Sequence, residues 1–259
     1  MRIYLCPNCR TKERLEASRG AAEVLNERLH AEILMSARDS TQLYGDHSHA
    51  GRPSQASLVV SVGGDGSVLH AAQTAVRSGL PLVGVNSGRL GYLCAFQLSD
   101  LETITCETLQ SLEKQQRTML MFTLNGKRHI ALNDVVLARS RLAGTLSARV
   151  TRGREVLLDF RGDGLIISTP TGSTAYNRSA GGPVLAQDTH CLAVTPVCAH
   201  TPGTAPIVVP DDEACVVTVT DAGDDRADVL ADGVSLGSPD GPLTVSRYEK
   251  CLTLLRQRE

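Results

Sequence analysis

At 259 residues the chain is long enough for one large or two ordinary domains, and a net charge of -2 leaves no electrostatic footprint for nucleic acid or membrane. The absence of tryptophan and an aromatic content of 3% argue against a stacking platform for bases. Met1–Leu5 is too short for the apolar core of a signal peptide, and no apolar run reaches the roughly 18 residues of a membrane helix, so the sequence points to the cytoplasm.

Arg2–Leu5 reads as a short strand. Apolar residues at Leu15, Ala22, Leu25, Leu29 and Ile33 predict a helix over Lys12–Leu34. Between them, Cys6-Pro7-Asn8-Cys9 has metal-site spacing but no second such pair. It is read as a strand end, and the eight scattered cysteines as free thiols of a reducing compartment. Residues 39–56 lose the period and are rich in Ser, His and Gly, which predicts a loop, with Asp46-His47-Ser48-His49 solvated within it.

Leu58 to Leu93 is the organising stretch. Leu58, Val59, Val60 and Val62 form an apolar run that stops at Gly63-Gly64-Asp65-Gly66. A helix is predicted over Ser67–Arg77, ended by Gly79 and Pro81, and Leu82–Val85 is the next buried strand. This is a βαβ unit with a glycine turn at the carboxyl end of a strand, where open α/β sheets bind ligands. Glycines let backbone N–H groups approach a phosphate, and a helix N-terminus favours negative charge. Asp65 would repel phosphate, so it serves a hydroxyl, a cation or a proton in transit, unless it is simply a helix cap. Ser99 and Glu102 make a capping-box pattern for a helix reaching about Lys114.

Near Gln115 the texture changes from α/β to mostly β. Met119–Leu124, the Asn125-Gly126 turn and His129–Ala138 predict a hairpin. Leu146–Val150, a turn at Arg152-Gly153-Arg154, and Val156–Phe160 repeat the pattern. Further strands are expected at Ile207–Val209, Cys215–Thr220, Val229–Leu230 and Leu243–Val245. Tyr248–Arg256 fits a helix or a strand.

Two later stretches carry candidate chemistry. From Gly162-Asp163-Gly164, an apolar strand feeds Ser168-Thr169-Pro170-Thr171-Gly172-Ser173-Thr174-Ala175-Tyr176, and Ser173–Ala180 is expected to start a helix. Such a turn offers N–H and O–H donors to a phosphorylated or polyhydroxylated ligand; a capped β-turn explains one hydroxyl better than four. Asn133-Asp134 lies mid-strand among Ala131, Leu132, Val135 and Val136, and needs a partner if buried: protein backbone or a ligand. His200 either lines the same cleft or caps a loop, and Asp232-Gly233 reads as a hairpin turn. A Walker P-loop, a complete dinucleotide GxGxxG, HExxH and GxSxG are all missing.

Taken in order, these stretches closely resemble the NAD kinase family. The resemblance rests on Gly63-Gly64-Asp65-Gly66-Ser67, Gly84-Val85-Asn86 with Gly88-Arg89-Leu90-Gly91-Tyr92-Leu93, Ala131-Leu132-Asn133-Asp134-Val135-Val136, and Asp163-Gly164 through Gly182-Pro183. It continues through Thr195-Pro196 with His200, Pro206–Pro210 and Asp232-Gly233. It implies an NAD kinase-like two-domain fold, an α/β N-terminal domain plus a β-rich C-terminal domain. Residues 1–115, with 246–259 returning to them, would carry the glycine turn, and residues 116–245 would bind NAD, held in the cleft between the two.

The implied reaction moves the γ-phosphate of ATP, or of polyphosphate, to the 2′-hydroxyl of the adenosine ribose, with Mg²⁺ accompanying ATP and no protein-held metal. By the same resemblance Asp65 orients or deprotonates that hydroxyl, and Gly64 and Gly66 form the donor turn. Asn133 and Asp134 hold the ribose, and Thr174, Ala175 and Ser179 contact the adenine or nicotinamide portions, with Asp163 at the nicotinamide end. Tyr176 packs on NAD of a neighbouring subunit in a homodimer or homotetramer. The family usually has Glu where this chain has Asp134, and Thr201–Ala205 lacks the basic residue often found after His200. A non-catalytic NAD(P)-binding sensor and a lipid or sugar kinase sharing the GGDG turn are the alternatives.

Overall fold

The computed structural model describes residues 1–88, 91–140, 144–221 and 227–258; Arg89 and Leu90 of the expected motif lie outside them. The chain forms two units, Met1–Gln116 with Leu252–Glu259, and Arg117–Cys251.

The first unit runs β1 (Arg2–Cys6), α1 (Lys12–Leu29), β2 (Glu32–Leu34), α2 (Ala37–Tyr44), β3 (Leu58–Val62), α3 (Asp65–Ser78), β4 (Leu82–Asn86), β5 (Phe96–Gln97), α4 (Cys106–Gln110) and β6 (Glu113–Arg117). The βαβ unit stands as the apolar pattern predicts, because β3 and β4 are buried along their whole length and pair in parallel. From β1 the chain steps to β2 on one side of the sheet, while β3 and β4 lie on the other. Their common boundary is the switch point where doubly wound sheets bind ligands.

Three expectations fail in this unit. The first helix ends at Leu29, with His30 left-handed at φ 47, and Ile33 sits instead in β2, paired with Ile3; spacing alone continued the helix across a turn. Residues 39–56 are no simple loop. Ser36 caps α2 by accepting the Asp39 N–H at 3.1 Å, and Leu43 is wholly buried, while the His49 ring packs tilted against the Tyr44 ring with centroids 4.3 Å apart. The third, Ser99–Lys114, splits into a 3₁₀ turn, Leu98–Thr103, and α4, because Thr105 starts a new cap after extended Ile104. Three consecutive β-branched residues at 103–105 resist a continuous helix.

The second unit contains β7 (Leu120–Leu124), β8 (Lys127–Ala131), β9 (Asp134–Arg139), β10 (Leu146–Arg152), β11 (Glu155–Gly162), β12 (Gly164–Ser168), the one-turn α5 (Tyr176–Ser179), β13 (Cys191–Val197), β14 (Ile207–Pro210), β15 (Cys215–Asp221), β16 (Ala227–Ala231), β17 (Val234–Gly237) and β18 (Leu243–Arg247). Two antiparallel six-stranded sheets, β11-β10-β15-β18-β7-β8 and β14-β13-β12-β9-β16-β17, enclose one core that includes Phe122, Leu146, Val150, Leu165, Ile167 and Val194. Asn125 and Gly126, both at positive φ, turn the β7–β8 hairpin. The expected strand over His129–Ala138 is two strands in different sheets, broken at Leu132-Asn133. Strands β13 and β17 carry no clear alternating pattern and escaped the reading.

The chain then returns to the first unit as β19 (Leu252–Arg256), parallel to β4, which settles the Tyr248–Arg256 ambiguity as a strand. Leu252 and Leu254 are fully buried there, at roughly 1.5–3 kcal/mol of transfer free energy each.

Candidate active site

In the first unit β3 delivers the chain into Gly63, at φ +139, where a Cβ would lie 2.1 Å from Ser67 Oγ. Gly64 caps α3 without a side chain. A Cβ on Gly64 or on Gly66 would meet nothing within 4 Å. Their missing side chains therefore relieve no internal crowding; they leave the N–H groups of the turn open to a ligand.

Asp65 is not the cap of its helix. It occupies the first turn, and its carboxylate reaches away: Oδ2 accepts the Tyr92 N–H at 2.8 Å and Oδ1 the Leu93 N–H at 2.9 Å. Gly91 permits this approach, since a Cβ there would stand 2.2 Å from Oδ1. Two donors fix the plane of the carboxylate while each oxygen keeps lone-pair capacity. The group can thus accept a proton or hydrogen bond from a hydroxyl without giving up its anchors. On the far side of the turn, Asn8 Nδ2 donates to Ser67 Oγ at 3.0 Å.

In the second unit Asn133 and Asp134 lie at the break between β8 and β9. The Asp232 carboxylate accepts the N–H groups of Leu132 at 2.9 Å and Asn133 at 2.7 Å, with a longer one from Asp134 at 3.4 Å. Asp232 N–H in turn donates to the Asp134 carbonyl at 3.1 Å. Asp134 is only 4% exposed. Burial first, and the neighbouring Asp232 second, push its carboxyl up to about 7. Burial also raises Asp232, but its backbone donors oppose the rise. The backbone donors thus favour the charged form of Asp232, whereas burial and that neighbour disfavour the charged form of Asp134. The Asn133 Oδ1 is buried with no protein partner, a polar atom suited to a ligand donor.

The hydroxyl-rich turn corrects its sequence reading. Ser168, Thr169, Thr171 and Ser173 are buried and spend their hydroxyls on the protein. Thr169 Oγ1 donates to the Leu132 carbonyl at 2.6 Å and Ser173 Oγ to the Pro170 carbonyl at 2.7 Å, while Thr171 Oγ1 donates to Gln187 Oε1 at 3.2 Å. Gly172 packs so closely that a Cβ would lie 2.1 Å from the Asn133 carbonyl oxygen. Thr174 and Ala175 are half-buried, and Tyr176, 48% exposed, and Ser179 face solvent on α5. The expected helix over Ser173–Ala180 amounts to a 3₁₀ turn, Gly172–Thr174, and that single helical turn.

Asp163 and His200 are not brought beside Asn133-Asp134. Strand β12 pairs Ser168 with Asp134 but Gly164 with Ala138, so the two ends stand about 13 Å apart. Asp163 ion-pairs with Arg139 at 3.2 Å. The exposed His200 donates its backbone N–H to the Arg161 carbonyl at 2.7 Å. In sequence, Asp232 reads as a plain turn residue. It is left-handed at φ 48, and nothing local marks its bonds to residues about a hundred positions away. Among the described residues no group of three or more His, Cys, Asp and Glu is arranged to hold a metal ion, and no helix is long and apolar enough to cross a membrane. The half-buried Cys6 thiol is pushed up to about 12, desolvation being the chief cause and Asp39 adding to it.

Comparison with known proteins matches residues 12–113 to the ATP-NAD kinase N-terminal domain and residues 132–239 to the ATP-NAD kinase C-terminal domain. The NAD kinase of Syntrophotalea carbinolica is 32% identical over 228 residues, 85% of this chain and 80% of that protein. That of a Geobacter species is 34% identical over 217 residues, 82% and 72% respectively. With the NAD kinase of Heliobacterium modesticaldum the identity is 38%, and the matched region spans 69% of this chain and 65% of that protein's length. Among solved structures, the yeast NADH kinase complexed with NADH superposes with a TM-score of 0.86 at 20% identity over 100% of this chain and 84% of that one. An Archaeoglobus fulgidus NAD kinase in complex with ATP gives 0.77 at 24%, over 100% and 94%. These two likenesses establish the fold, an α/β N-terminal domain and a β-rich C-terminal domain. Glycine turn, Asn-acidic pair and hydroxyl-rich turn follow one another in a chain whose two halves match the two domain models, and the chain belongs to the NAD kinase family.

Proposed function

We propose that this chain transfers the γ-phosphate of ATP to the 2′-hydroxyl of the adenosine ribose of NAD, giving NADP, with polyphosphate as the alternative donor. The observation that carries the reading is Asp65: a carboxylate fixed by two backbone N–H groups inside a glycine turn whose open positions suit a phosphate chain. In this reading Asp65 orients the hydroxyl and takes its proton late, as the loose transition state of phosphoryl transfer requires. Gly64 and Gly66 receive the donor phosphates, and Mg²⁺ enters with ATP as part of the substrate and neutralises them.

The remaining assignments belong to the β-rich unit as the NAD-binding domain. Asn133, through its unpartnered Oδ1, and Asp134, through its buried carboxyl, hold ribose oxygens. Thr174, Ala175 and Ser179 contact the adenine or nicotinamide portions, Asp163 lies at the nicotinamide end, His200 lines the cleft, and Tyr176 packs on NAD of a neighbouring subunit in a homodimer or homotetramer. The site of action is the cytoplasm.

A coupled assay for NADP formation, run with NAD, Mg²⁺ and either ATP or polyphosphate, tests the reading and ranks the donors. NADP formed with at least one donor is the expected result. Calorimetric binding of NAD with no product under either donor would make the chain a sensor instead.

A further inference from the structure

The last strand of the chain returns to the first unit, and its end bears on the glycine turn. Strand β19 runs parallel to β4, with Leu254 opposite Leu82 and Leu255 opposite Val83, so Arg256 comes level with Gly84. Beside Gly84 runs the segment Cys94-Ala95: the Ala95 N–H donates to the Gly84 carbonyl at 2.8 Å, and a Cβ on Gly84 would stand 3.0 Å from Cys94 Cα. From there the Arg256 guanidinium donates to the carbonyl oxygen of Tyr92. That oxygen and the N–H of Leu93 belong to one planar trans peptide and point in opposite directions. The same N–H is the donor to Asp65 Oδ1 at 2.9 Å. One peptide unit is therefore held between a guanidinium and a carboxylate.

We propose that Arg256 is a positioning residue for Asp65, acting through the peptide that joins Tyr92 to Leu93. A charge-assisted bond to a carbonyl polarises the peptide and strengthens the bond its N–H makes on the other side. It also stops the Gly91–Leu93 segment from swinging away and taking both anchors of the carboxylate with it. Both charges also act on one neighbouring group, Cys94. Its thiol, pushed up to about 12 mainly by burial, is raised further by Asp65 and drawn down by Arg256. The return of the chain end to the first sheet is thus tied to the acid that does the chemistry.

The proposal rests on the reading in which Asp65 acts on the acceptor hydroxyl, and kinetics on the full chain separate the two. NADP formation with MgATP and NAD is measured for Arg256→Gln, Arg256→Lys, Asp65→Asn and Asp65→Asn with Arg256→Gln. Arg256→Gln is expected to lower kcat about tenfold with each KM within about twofold of the parent, Arg256→Lys to lose about threefold, and Arg256→Gln to add nothing in the Asp65→Asn background. Unchanged kcat in Arg256→Gln, or the same loss with Asp65 already replaced, overturns the proposal while leaving the reading intact. Parental turnover in Asp65→Asn removes the reading and the proposal with it. Should a thermal melt show Arg256→Gln unfolded, Arg256→Lys decides: a lowered kcat at unchanged KM supports the role, and parental kcat refutes it.

Discussion

The glycine turn after β3 and the hydroxyl-rich turn after β12 are both clusters of small residues at a strand end, yet they use their polar atoms in opposite ways. In the first, the side chains at Gly64 and Gly66 are missing where nothing would obstruct them, and the single carboxylate is anchored by backbone donors with capacity to spare. In the second, the hydroxyls of Thr169, Thr171 and Ser173 are consumed within the protein, and Gly172 is small because the Asn133 carbonyl leaves no room. One turn keeps polar capacity in reserve; the other spends its polar atoms shaping the ground beneath Asn133. Substitutions of the same chemical kind should therefore strike rate in one place and stability in the other.

The largest effect belongs to Asp65. Asp65→Asn keeps the size of the side chain and removes its capacity as a base, so kcat should fall about 10²–10⁴-fold while calorimetric NAD binding is retained. Turnover at the parental rate would take Asp65 out of the mechanism.

Next comes the buried carboxyl of Asp134. Its folded-state value of about 7 lies above the ordinary 3.8, so the folded protein binds this proton more tightly than the unfolded chain. The resulting stabilisation is complete below about pH 4, is lost as pH rises, and is gone above about pH 7, with a ceiling of roughly 4 kcal/mol. Asp134→Asn removes that dependence. Urea unfolding at pH 5 and pH 8 should therefore show the variant gaining on the parent at the higher pH. Parallel stability profiles would mean that Asp134 carries no extra proton.

What could be read from the sequence was whatever a local pattern enforces. The wholly buried β3 and β4 around a glycine stop, and the Asn125-Gly126 hairpin, each follow from a few adjacent residues. Asp65 was legible by its place in the glycine turn, but its anchors were not. Backbone N–H groups of Tyr92 and Leu93 exist whatever the side chains are, so no residue type announces them. Asp232 was illegible for another reason: its partners lie 98 to 100 positions away, and an Asp-Gly pair has the same form in any hairpin. The stretch from Ile130 to Leu137, apolar on both sides of Asn133-Asp134, hid a change of sheet, because the residues flanking the break are buried.

Glycine replacements sharpen the contrast at about 3 kcal/mol. Gly172→Ala forces a methyl group against the Asn133 carbonyl oxygen at 2.1 Å, where backbone must move, and should cost about 3 kcal/mol or more in urea unfolding. Gly64→Ala meets nothing within 4 Å; as an N-cap replacement it should cost no more than about 1 kcal/mol, with the KM for ATP raised. Equal stability losses at the two sites would erase the distinction between an open turn and a packed one.

Serine replacements test it at the smallest scale. Ser173 Oγ donates to the Pro170 carbonyl at 2.7 Å and accepts the Leu185 N–H at 3.0 Å, both within buried structure. Ser173→Ala strands one acceptor and one donor, which costs about 1–3 kcal/mol, and should shift the KM for NAD little once the protein is folded. Ser179 carries the same hydroxyl, exposed on α5, so Ser179→Ala should leave stability within about 0.5 kcal/mol and raise the KM for NAD. The two variants delete the same atom from positions six residues apart, and only where that oxygen points separates their outcomes. If both lose stability and neither changes KM, α5 belongs with the scaffold and the ligand contacts lie elsewhere on the unit.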